Sequence, residues 1–131
     1  MTDGTKTGSI LVIEDEPSVM SFIRAALERA GYSISGASSG VEALRMLQDG
    51  KFRGVISDMR TPGGVDGADV YNWLSANRPE LARRLIFISG DIVNNETSTT
   101  LRMTAVPFVE KPFRVSQLIS VVEQTIGKPG Q

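Results

Sequence analysis

Five short apolar runs punctuate the chain, at residues 10–13, 33–37, 55–57, 85–88 and 108–109, and between them the apolar positions change to helical spacing. Alternation of this kind predicts βα units wound around a parallel sheet. After the first run, Phe22, Ile23, Ala26, Leu27 and Ala30 form one stripe, with Pro17 suited to a first helical turn and Gly31 to a C-terminal cap. A second helix is expected from about Val41 to Gln48, behind the cap candidates Ser38 and Ser39, burying Ala43, Leu44 and Leu47 before Asp49-Gly50 stops it. A third uses Val70, Tyr71 and Leu74. The fourth, over 94–104, should be mobile. Its Asn and Thr residues compete for backbone hydrogen bonds, and it offers few apolar anchors beyond Leu101 and Met103. The fifth carries Val115, Leu118, Ile119, Val122 and Ile126, after which 127–131 reads as a frayed tail.

The first and third runs, ILVI and GVIS, lack polar alternation, as strands covered on both faces do. Helices are therefore expected on both sides of the sheet, giving an α/β architecture of three layers. In open parallel sheets ligands bind beyond the carboxyl ends of the strands, so the residues that follow each run carry the chemistry.

The chain has 131 residues, room for one domain, which we place at 9–126 between a flexible segment, 1–8, and the tail, 127–131. It contains no His and no Cys, which excludes disulfides, thiolate or imidazole catalysis and zinc or haem ligation. Chemistry must rest on carboxylates, hydroxyls, Lys and Arg. The net charge is −1, and the densest basic stretch, 78–84, is interrupted by Glu80, which argues against direct nucleic-acid binding. No apolar run approaches the ~18 residues of a membrane span, and the first residues lack a signal-peptide pattern, so a cytoplasmic location is the default expectation.

After the first run stand Glu14, Asp15 and Glu16; after the third, Asp58; after the fourth, Ser89; and past Glu110 in the fifth, Lys111. Carboxylates converging from two strands repel unless a cation sits between them, and an all-oxygen set favours a hard ion such as Mg²⁺. Phosphoryl oxygens commonly complete such a shell, with Lys111 and Ser89 placed to contact them. Asp58 could then attack phosphorus and form an acyl phosphate. Taken singly, each residue has a plainer reading: acids favouring a helix N-terminus, a turn Asp, a loop Ser, a solvated Lys. A Mg²⁺-dependent phosphohydrolase is an alternative, although no second acid stands two residues after Asp58. A flavin or nucleotide carrier would need a Gly/Ser/Thr-rich loop where Glu14-Asp15-Glu16 stands.

Four segments in register, ILVIEDEP (10–17), VISDMRTPGGVDG (55–67), IFISGD (86–91) and FVEKPF (108–113), resemble the response-regulator receiver domain of two-component signalling over nearly the whole chain. The resemblance implies a flavodoxin-like doubly wound fold: a five-stranded parallel sheet of order 2-1-3-4-5 with five helices. It implies a phosphoacceptor that takes a phosphoryl group from a histidine kinase or histidine phosphotransfer protein and catalyses only its own phosphorylation and dephosphorylation. Asp58 resembles the phosphoacceptor, and Glu14 and Asp15 the acidic pair that holds Mg²⁺. Arg60 stands where the family offers a backbone carbonyl to the metal. Ser89 matches the switch hydroxyl, Lys111 the phosphate-contacting lysine and Phe108 the switch aromatic. The Lys111–Pro112 bond is cis in the family.

Glu14 replaces the commoner Asp and is one methylene longer, which favours a water-mediated metal contact. Phe108 lacks the Tyr hydroxyl, so the switch would work through ring burial. The resemblance allows a phosphorylation-dependent homodimer, which the thin anchoring of 94–104 would leave weak. IFISGD and the preceding ELARRL (80–85) are similar to receivers of hybrid sensor kinases. Arg60 and Asp91, each two residues past a site residue, are placed to pair across the mouth of the site and hinder hydrolysis of the acyl phosphate.

Overall fold

Strands without a polar face have to be covered above and below, and at this chain length that means one sheet between two helical layers. The computed structural model of the chain, which describes residues 8–61, 63–90 and 104–130, has this architecture. β1 (Ser9–Ile13), β2 (Ile34–Ala37), β3 (Phe52–Asp58), β4 (Leu85–Ser89) and β5 (Phe108–Glu110) form one parallel sheet of order β2-β1-β3-β4-β5. The helices among the described residues are α1 (Pro17–Arg29), α2 (Gly40–Asp49), α3 (Gly67–Asn77), the single turn α4 (Pro79–Ala82) and α5 (Val115–Thr125). The expected helix over 94–104 lies outside the described residues except for Thr104. The turn α4 is too short to have a period.

Alternation along each central strand divides the core in two. Leu11, Ile13, Val55, Leu85 and Phe87 pack against Ala43 and Leu47 of α2, Val70 and Leu74 of α3 and Leu81 of α4. Ile10, Val12, Ile56, Ile86 and Ile88 pack against Ile23 and Leu27 of α1 and Leu118 and Val122 of α5. Burying each such Val, Leu, Ile or Phe side chain contributes roughly 1.5–3 kcal/mol. Helix α2 starts where expected: the Ser39 side chain accepts the Glu42 amide at 3.1 Å. The winding direction reverses between β1 and β3, and this opens the crevice at their carboxyl ends.

The C-terminal segment is docked rather than frayed as far as Lys128. Tyr32 Oη donates to the Gly127 carbonyl at 2.7 Å, Arg53 Nη2 donates to the Lys128 carbonyl at 2.8 Å, and the Arg53 guanidinium lies 5.4 Å over the Tyr32 ring. Ile126 fills the space above Gly54, where any Cβ would meet it at 2.5 Å. A Gly- and Pro-containing end reads as frayed from local sequence, but these partners lie about 75 to 95 residues upstream, beyond the reach of any local pattern.

Candidate functional site

The site grows out of four strand ends. β1 ends at Ile13, and Glu14 follows, buried with 2% of its surface exposed. Its Oε2 accepts the amide of Glu16, the N-cap of α1, at 3.1 Å, which turns the side chain back over the strand end. Asp58 closes β3 at 8% exposure, and its Oδ1 accepts the Arg60 amide at 3.3 Å. The ladder runs one residue further, Met59 donating to the Ile88 carbonyl at 2.9 Å, so the Asp58 backbone is fixed on both sides. Ser89 ends β4, buried, and its carbonyl accepts the Lys111 amide at 2.8 Å. The Lys111–Pro112 peptide is cis, as the resemblance implies.

Lys111 reaches across the crevice. Its Nζ lies 3.0 Å from Asp58 Oδ2, 3.1 Å from Glu14 Oε1 and 3.8 Å from Glu16 Oε1. Burial pushes the Glu14 carboxyl above the usual range and the Asp58 charge adds to the push, against the Glu16 amide and Lys111. Burial alone would lower the Lys111 pKa, but Asp58 and Glu14 together outweigh it and raise it.

Carboxylate oxygens of Glu14, Asp15 and Asp58 all lie within 4.8 Å of one another. Glu14 Oε1 is completely buried, and although close to Lys111 Nζ it accepts no well-aligned hydrogen bond among the described residues. An acceptor left in this way, in a set made only of carboxylate oxygens, fits a hard divalent cation such as Mg²⁺.

Four of the residues expected at the site, Glu14, Asp15, Asp58 and Lys111, therefore come together directly. Ser89 is held next to them, since Asp58 pairs with Ile88 in register and Ser89 follows. The Arg60 amide is bonded to Asp58 while its side chain is exposed. Phe108 stands apart on the edge strand, two residues before Glu110, which is the partner of Ser89, with 43% of its surface exposed. Asp91, the expected partner of Arg60, lies outside the described residues. Sequence reasoning passed over Glu16 as a contact of Lys111; its place in the acidic triplet is the signal for it. It also passed over a groove of about 560 Å³ beside Lys111, lined by Val19 and Phe22 of α1 and by Pro112 and Phe113. Phe22 is 44% exposed, and its ring meets Phe113 at 5.7 Å between centroids. No described helix is long and apolar enough to cross a membrane.

The sequence matches the family description "Response regulator receiver domain" over residues 10–123. It is 32% identical over 130 residues to the sensor kinase CckA of Brucella abortus, covering 97% of this chain and 13% of that protein. The fold superimposes on the receiver domain of NtrX from Brucella abortus with a TM-score of 0.79 at 29% identity, covering 90% of this chain and 98% of that one. The receiver domain of sensor histidine kinase PA1611 from Pseudomonas aeruginosa, whose structure has a magnesium ion coordinated in its active-site cleft, gives 0.80 at 23% identity, covering 92% and 98%. With a doubly wound sheet, an acidic crevice at its switch point and a lysine spanning that crevice, the chain belongs to the response regulator receiver domain family.

Proposed function

We propose that this domain accepts a phosphoryl group on Asp58 from a histidine kinase or histidine phosphotransfer protein, and signals through the conformational change that follows. The observation that carries the reading is the convergence of Asp58, Glu14, Asp15 and Lys111 at the carboxyl ends of β1, β3 and β5. Glu14, Asp15, Asp58 and the Arg60 carbonyl would hold Mg²⁺. When bound, the ion neutralises the carboxylates and the charge spread over the transferring phosphoryl oxygens.

The chain's own residues then divide the work. The Arg60 amide fixes one oxygen of Asp58 and leaves the other to attack phosphorus. Lys111, already 3.0 Å from that second oxygen, stays beside it and pairs with a phosphoryl oxygen as the P–O bond forms and the bond to the donor imidazole breaks. Ser89, buried at the end of β4, supplies a hydroxyl to the phosphoryl group, and its movement leaves space for the exposed Phe108 ring to turn inward. The domain has no separate small-molecule turnover. The apolar groove formed by Val19, Phe22, Pro112 and Phe113 supports a protein as donor, since a small phosphate ester would leave it uncovered. The location is cytoplasmic, no nucleic acid is bound directly, and any phosphorylation-dependent homodimer is weak.

The test is transfer from a phosphohistidine carrier protein labelled with radioactive phosphate. Label should pass to the wild-type chain and not to Asp58→Asn; label on both chains, or retained by the carrier in the presence of Mg²⁺, contradicts the reading.

A further inference from the structure

The chain leaves the sheet just after Asp58 and returns at α3. This excursion is closed at its base by the Gly67 amide donating to the Met59 carbonyl at 3.0 Å. The closure is tight at Gly67, where a Cβ would approach the Asp58 carbonyl and Met59 Cα to 3.0 Å, so glycine fits there with least displacement. Within the loop, Gly63 and Gly64 have φ of 90° and 81°, a region that glycine enters without strain. Across these glycines the Thr61 hydroxyl donates to the Val65 carbonyl. Val65 is itself seated on the first turn of α2, so closely that a Cβ at Gly40 would collide with its carbonyl and side chain. The loop is thus tied at one end to β3 and propped at the other on α2, and Thr61 joins the two.

We infer that Thr61 is a positioning residue for the metal: its hydroxyl, bonded to Val65, fixes the loop that begins with Arg60 and so aims the Arg60 carbonyl into the crevice. The inference rests on the reading of that carbonyl as a metal ligand. Removing a group that orients a ligand typically costs metal affinity while the fold persists. Thr61→Val keeps the shape of the side chain and deletes the donor; Thr61→Ser keeps the donor.

Calorimetric titration of the full chain with Mg²⁺, after stripping with chelator, tests it alongside metal-free thermal unfolding and phosphorylation by acetyl phosphate over a range of Mg²⁺ concentrations. Thr61→Val should raise the Mg²⁺ Kd about tenfold, at the low end for a residue that orients a ligand. It should also slow phosphorylation at low Mg²⁺ and recover the wild-type rate at saturation, with the metal-free midpoint unchanged. Thr61→Ser should behave as wild type throughout. If wild type and Thr61→Val bind Mg²⁺ equally, the positioning role is wrong and the metal site stands. If both variants lose affinity and metal-free stability together, Thr61 is structural only. If the wild type binds no Mg²⁺, the metal site and the role of Thr61 fall together.

Discussion

Lys111→Met removes the ammonium from the centre of the crevice and keeps most of its stem. In the metal-free protein this leaves Glu14 and Asp58 facing each other without a counter-charge. Two unit charges about 3 Å apart attract by roughly 5 kcal/mol at an effective dielectric of about 20, and Lys111 makes two such contacts. Most of that gain is offset by the cost of drawing the ammonium and the carboxylates out of water. Deleting one partner of a buried pair costs about 3–5 kcal/mol, and with the Lys111 side chain 20% exposed the low end, ~3 kcal/mol, applies. For a domain of this size that lowers Tm by about 10 °C. Urea unfolding at pH 7.5, with chelator and again with saturating Mg²⁺, measures it. The full deficit should appear with chelator, and Mg²⁺ should shrink it, because the divalent ion supplies charge where the lysine did. As pH falls the deficit should also shrink, because the raised Glu14 carboxyl takes up a proton instead of remaining a buried anion. A deficit that is the same with and without Mg²⁺ would refute the idea that lysine and metal neutralise the same carboxylates.

Three further outcomes follow from single residues. The Glu14 carboxyl is held above its ordinary value of 4.5, so its contribution to stability is fully present below that value and lost as pH rises through the raised one; the metal-free wild type should lose stability over this window relative to Glu14→Gln, and parallel pH profiles would contradict it. Ala105 has φ of 58°, so Ala105→Gly should stabilise by about 0.5–1 kcal/mol in denaturant titration, strain relief being partly offset by the freer unfolded chain. Tyr32→Phe deletes the bond to the Gly127 carbonyl and should cost about 1 kcal/mol in the full chain, but nothing in a chain truncated after Ile126.

β1 and β4 are legible in the sequence because strands buried on both faces are uniformly apolar, a property each residue carries alone. β3 is only half legible. Phe52, Arg53 and Gly54 extend it, yet Arg53 is placed by reaching Lys128 and Tyr32, and Gly54 by yielding space to Ile126, contacts made only once segments distant along the chain come together. The site's membership follows from position, since the residue after a buried strand arrives at the switch-point crevice; Glu14, Asp15, Asp58 and Lys111 are found that way. Its wiring does not. That Glu14 gives one oxygen to the Glu16 amide and leaves the other without an aligned donor depends on the turn into α1. The Thr61 hydroxyl bond likewise depends on a loop shaped by two glycines and a neighbouring helix.

The most direct measurement is intact mass after incubating the full chain with acetyl phosphate and Mg²⁺, with Asp58→Asn and a chelated sample alongside. The account predicts one added phosphoryl group on the wild type, absent from both controls. An adduct that persists on Asp58→Asn or without metal would contradict it.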